Sequence, residues 1–104
     1  MGKERLEVPT KIDYKYDGDK VRMELLPMDA LYEVAKVLTK GAKKYADHSW
    51  KTLNNATERY QGALLRHITA SMNGEDKDPE SGLSHYAHLA CNALFLLWLD
   101  MHKN

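Results

Sequence analysis

The chain has 104 residues, 43% of them hydrophobic and 29% charged, with 15 basic and 15 acidic side chains and so a formal net charge of zero. That describes one small domain whose core is thin for a monomer, so self-association is expected, and it lacks the basic footprint of a nucleic-acid-binding protein. A single cysteine, Cys91, excludes an intrachain disulfide framework and a cysteine-based zinc site, and fits a reducing compartment.

The first residues, MGKERLEVPT, are too charged for a secretory signal, and Leu6 stands where a myristoylation motif needs Ser or Thr. Residues 1–26 read as an arm with Pro9 and Gly18 as breakers, in which Asp17-Gly18 between Tyr16 and Val21 suggests a small hairpin. Residues 27–104 read as one helical domain. Pro27 opens a first helix, whose apolar positions Ala30, Leu31, Val34, Val37 and Leu38 repeat at helical spacing, with Gly41 as its expected C-cap. Polar residues around Trp50 make 45–55 a loop. A second helix is expected from a Thr57 cap through Tyr60, Leu64, Ile68 and Met72 to the Asn73-Gly74 stop. The loop EDKDPESG follows, and a third helix runs from about Ser84 to His102. Its apolar run from Leu89 to Leu99 is interrupted by Asn92 and too short to cross a bilayer. Because that half-helix is apolar almost all round, three helices cannot cover it. The expected fold is therefore an all-α bundle of three main helices completed by homo-oligomerisation, in the cytoplasm and off the membrane.

Three groups of residues carry candidate chemistry. His85, His88 and Asn92 lie within about 60° of one another around the third helix and make a polar stripe there. Buried polar groups need partners, so they are either satisfied structural residues or a site. Arg66 and His67 end the second helix, and an antiparallel return of the third would bring them to Glu75, Asp78, Glu80, His85 and His88. Mixed histidine and carboxylate ligands suit Mn, Fe or Zn, and carboxylates completed by substrate phosphates suit Mg. Taken alone, the acidic loop is also what a solvated segment before a helix N-terminus looks like. From Lys36 to Lys51 five lysines, Lys43 and Lys44 among them, oppose one Asp47. With Tyr45 and Trp50 interleaved, they form either a phosphate- and base-binding surface or a solvated face over core aromatics. No phosphate-cradling glycine loop, dinucleotide fingerprint or HExxH motif is present, and Cys91 sits among apolar residues as a core thiol.

The successions KVRMELLPMDALYEVAKVLTKGAKKY and RYQGALLRHITASMNGEDKDPESGLSHYAHLACNALFLL, with Trp50 between them, resemble a phage-associated family, the N-terminal domain of dATP/dGTP diphosphohydrolases. The resemblance spans about Lys20 to Leu97. It implies kinship with all-α pyrophosphohydrolases similar to MazG and the helical dUTPases, which use Mg and helical carboxylates to cut between the α and β phosphates. This chain departs from their acidic pattern: His85 and His88 hold the ExxD spacing, and Arg66 and His67 stand where an acidic helix is expected.

The resemblance implies a purine nucleotide as ligand and hydrolysis to monophosphate and pyrophosphate as the expected activity. In that reading Glu75, Asp78, Glu80, His85 and His88 hold Mg or Mn, and Glu75, Asp78 or His67 serves catalysis. Lys43, Lys44, Tyr45, Trp50, Arg66, His85, His88 and Asn92 bind the nucleotide. The alternative is a phage protein that sequesters a nucleotide-derived host immune signal without turnover; a blander one is an accessory domain that has lost its catalytic half.

Overall fold

The computed structural model describes Gly18 and residues 20–103, so the expected hairpin lies largely outside the described residues. Three helices of 17 residues each dominate: α1 (Met28–Lys44), α2 (Ala56–Met72) and α3 (His85–Met101). Single 3-10 turns at Met23–Leu25 and Ser49–Thr52 precede α1 and α2. Among the described residues there is no strand, and the all-α bundle expected from the apolar periodicity is what forms.

Pro27 starts α1 as expected, its carbonyl accepting from Leu31 N–H at 3.1 Å. Gly41 does not end the helix. Ala42, Lys43 and Lys44 continue it, and Tyr45 N–H closes it on the Gly41 carbonyl at 2.8 Å. A glycine inside a helix costs only about 1 kcal/mol, and two lysines in the last turn favour the helix dipole. The cap of α2 is also shifted. Asn55, at φ +54°, takes that position, and Thr57 lies inside the helix. Asn tolerates the left-handed conformation because its short amide hydrogen-bonds locally, which Thr, branched at Cβ, does poorly. The expected loop 45–55 holds the second 3-10 turn, entered through His48 at φ +61°.

Helices α2 and α3 pack antiparallel, as the ring contacts from Tyr60 to Phe95 and from His67 to His88 require. Helix α1 packs on one side of α3. The core is small: Val34, Tyr60, Ala87 and Cys91 are its buried hydrophobic members. An aromatic cluster extends it at the lower end of the hairpin. Trp50 stacks on Phe95 with centroids 4.4 Å apart, meets Trp98 edge-on at 5.1 Å, and accepts a hydrogen bond at its carbonyl from the Tyr60 hydroxyl at 2.9 Å. No helix among the described residues is long and apolar enough to cross a membrane.

Candidate active site

The connection between α2 and α3 builds the site. Asn73 and Gly74 end α2 in a Schellman motif: Gly74, at φ +95°, donates to Ser71 O at 3.0 Å, and Glu75 N–H reaches back to Ala70 O at 3.0 Å. This reversal sends the Glu75 side chain back toward the helices. Asp78 then organises the loop. Its Oδ2 accepts Ser81 N–H at 2.8 Å, its carbonyl accepts Gly82 N–H at 2.7 Å, and its own N–H donates to Leu83 O at 2.8 Å. Gly82, at φ +74°, makes the last turn before Ser84, whose Oγ caps α3 by accepting Tyr86 N–H at 3.0 Å.

Three histidines meet at this end of the hairpin. His85, only 3% exposed, hydrogen-bonds through Nε2 to Glu75 Oε1 at 2.8 Å and through Nδ1 to His67 Nδ1 at 2.8 Å. An ionised carboxylate only accepts, so His85 Nε2 carries the proton. A neutral His85 therefore accepts at Nδ1, and His67 Nδ1–H donates to it. His67 stacks on His88 with ring centroids 4.5 Å apart, and His88 Nε2 hydrogen-bonds to Ser81 Oγ at 2.7 Å with Asp78 Oδ2 at 3.8 Å. One ligand atom from each of His67, Asp78 and His85 falls within 4.8 Å of the others.

The electrostatics keep the nitrogens neutral and the carboxylate charged. Burial, and then the neighbouring His88, pull His67 below the ordinary histidine range. Burial also lowers His88, against the attraction of Asp78. For Asp78, burial acts to raise the carboxyl, but the Ser81 hydrogen bonds and the two nearby histidines outweigh it and hold it below the usual range. Neutral imidazoles beside an ionised carboxylate, with a second carboxylate behind one ring, are the donor set that a divalent transition ion takes. The residues fit a metal.

The other residues singled out from sequence are distributed more widely. Glu80 turns away and pairs with Lys44, Nζ to Oε2 2.7 Å, so the basic and acidic segments meet there at the surface. Asn92 is buried but satisfied, its Nδ2 donating to the His88 carbonyl at 3.0 Å. Arg66 is exposed and lies back over Gly62, close enough to His67 to disfavour its protonation. Lys43 sits on the outer face of α1 beside Tyr32 and Lys36.

Tyr45 and Trp50 line a separate open cavity of about 870 Å³ between α1, α2 and α3. Its walls are largely apolar, including Leu38, Tyr60, Cys91 and Phe95, with His48 and Arg59 as polar members. Ser81, Arg59 and His48 went unnoticed in the sequence. Of these Ser81 was legible in principle, since Asp followed three residues on by Ser is the spacing of a side-chain-closed turn.

With this geometry in view, comparison with known proteins is informative. A family model described as dATP/dGTP diphosphohydrolase, N-terminal, matches residues 10–104. The chain belongs to this family. A relative named dATP/dGTP diphosphohydrolase, from Salmonella phage PMBT28, is 36% identical over 85 residues, which are 82% of this chain and 29% of the phage protein. The chain thus spans less than a third of the length of that family relative. No solved structure matches it.

Proposed function

We propose that this member of the dATP/dGTP diphosphohydrolase N-terminal family is a metal-dependent nucleotide diphosphohydrolase that converts purine deoxynucleoside triphosphates to monophosphate and pyrophosphate. The observation that carries the reading is the convergence of His67, Asp78 and His85 in a chain of this family. Asp78 and the two Nδ1 atoms would hold the ion, because His85 keeps its Nε2–H on Glu75 and has only Nδ1 to offer. When bound, a divalent cation such as Mg or Mn supplies charge to the phosphates and acidifies a water.

The chain's own groups do the rest. Glu75 holds the His85 ring in one tautomer and orientation. Ser81 fixes both Asp78 and His88, so that the carboxylate and the stacked His67–His88 pair face the phosphate from a rigid loop. His88 is the group placed to take a proton from an attacking water, being neutral and hydrogen-bonded but not drawn into the His67–His85–Glu75 chain. The apolar cavity with Tyr45 and Trp50 takes the purine, and Arg59 at its rim offers a charge-assisted donor to sugar or phosphate. One turn of α3 advances about 5.4 Å, so cavity and histidine cluster lie within the length of one nucleotide.

The test is direct. Purified protein with dATP or dGTP and Mg or Mn is expected to release pyrophosphate. Asp78→Asn should lower kcat by more than ~100-fold while leaving the far-ultraviolet circular dichroism unchanged. Calorimetric titration with Mn alone should show one site that His85→Ala abolishes. Absence of turnover with both nucleotides and both metals would overturn the reading.

A further inference from the structure

From His85 to Leu99 helix α3 carries no Asp, Glu, Lys or Arg, yet only part of its circumference is covered. Cys91, Phe95 and Trp98 turn toward the cavity shared with α1, and His85 and His88 turn toward α2. At about 100° per residue, Tyr86, Ala90, Ala93 and Leu97 follow one another along the side away from both. Tyr86 and Leu97 are 61% and 53% exposed.

Helix α2 adds to the same face. Arg59 marks its cavity side, so in an antiparallel pair Leu65, Ile68 and Met72, lying roughly half a turn round from Arg59, flank α3 on the side away from α1. Leu65 and Met72 are 60% and 78% exposed. With ~150–250 Å² for a large side chain fully exposed, this face leaves on the order of 700 Å² of apolar surface in water. That exceeds the ~300–600 Å² of the largest patch on an ordinary monomer and matches the ~800 Å² that each partner brings to a stable interface.

We propose that a second copy of this chain docks on this face, α3 against α3 about a two-fold axis. The stripe is self-complementary: small residues, Ala90 and Ala93, occupy its middle, and bulky ones, Tyr86 and Leu97, its ends. An antiparallel crossing at the alanines brings the helices close and seats Tyr86 against the partner's Leu97, and the reverse. Two α2–α3 hairpins then enclose a four-helix core, with α1 of each protomer on the outside.

Sedimentation of the full chain is expected to give twice the 11.9 kDa protomer mass. Leu97→Glu buries two unpaired charges per dimer and should weaken association by more than ~100-fold. Where that variant fails to fold, cysteine cross-linking decides. Ala93→Cys, close to the axis, should give a disulfide-linked dimer under mild oxidation, and Lys40→Cys on the exposed face of α1 should not. A native chain that sediments as one protomer at every concentration would hand the face to another segment or protein and overturn the proposal. So would Ala93→Cys cross-linking no better than Lys40→Cys.

Discussion

At the scale of single residues, the site depends on which groups stay neutral. His67 and His88 are both held below the ordinary value of 6.5 by burial. A histidine with a lowered folded pKa binds fewer protons in the native than in the unfolded state, so stability is full above about 6.5 and is lost as pH falls toward the folded values. Asp78, also lowered, adds a further loss only in the acid range below 3.8. In chelator, the urea midpoint is therefore expected to drop between pH 7.5 and pH 5.5, and His88→Phe should flatten that slope. An unchanged midpoint in the native chain would remove the basis for neutral imidazoles here. Cys91 makes a second prediction. It is 3% exposed and burial pushes its thiol up to about 12, so at pH 8 it should resist alkylation in the folded protein and react fully in denaturant. Its core position was legible from its apolar neighbours. The hydrogen-bonded chain Glu75–His85–His67 was not, because spacing on one helix says nothing of which nitrogen meets which partner.

At the scale of elements, the helices follow from apolar periodicity, and their ends follow from local chemistry. The correct stop at Asn73-Gly74 and the correct cap at Ser84 are also what aim the site, since they bracket the loop that carries Glu75 and Asp78. The two boundary errors, at Gly41 and Thr57, have one origin. Local capping preference is worth about 1 kcal/mol or less, and packing of the flanking turns overrides it. Gly74 is the position where the backbone leaves least choice, with φ at +95° and both Schellman hydrogen bonds resting on it. Gly74→Ala should cost about 1–2 kcal/mol in chemical denaturation, because a Cβ is disfavoured in that conformation. It should also lower Mn affinity by displacing Glu75 from His85. Gly74→Asn, better suited to a left-handed position, should recover most of both losses. Equal stability of the alanine variant and the native chain would show that the turn does not hold the site.

At the scale of the whole molecule, the aromatic cluster ties the cavity to the bundle. Trp50 reaches from the 3-10 turn into a stack with Phe95 and an edge contact with Trp98, and its carbonyl holds Tyr60. Trp50→Ala should destabilise by about 2–4 kcal/mol, through lost burial and a lost aromatic pair. In the proposed enzyme it should raise KM for the nucleotide more than it lowers kcat, since the indole lines the cavity and lies apart from the histidine cluster. A stability loss below about 0.5 kcal/mol would mean that the turn is not packed as described. The zero net charge divides, as the sequence indicated, into a lysine-rich segment and an acidic loop, but the fold joins them through Lys44 and Glu80 at the surface. By itself the sequence determined the three helices, their order, the antiparallel return of α3 and the family, because periodicity, turn residues and motif spacing are local properties of the chain. Tertiary structure decided that His67 and not Glu80 joins Asp78 and His85, and that Trp50 turns one face to Phe95. It also decided which side of α3 stays uncovered. Those outcomes depend on how helices rotate about their axes when they pack, and a single residue step turns a side chain by about 100°.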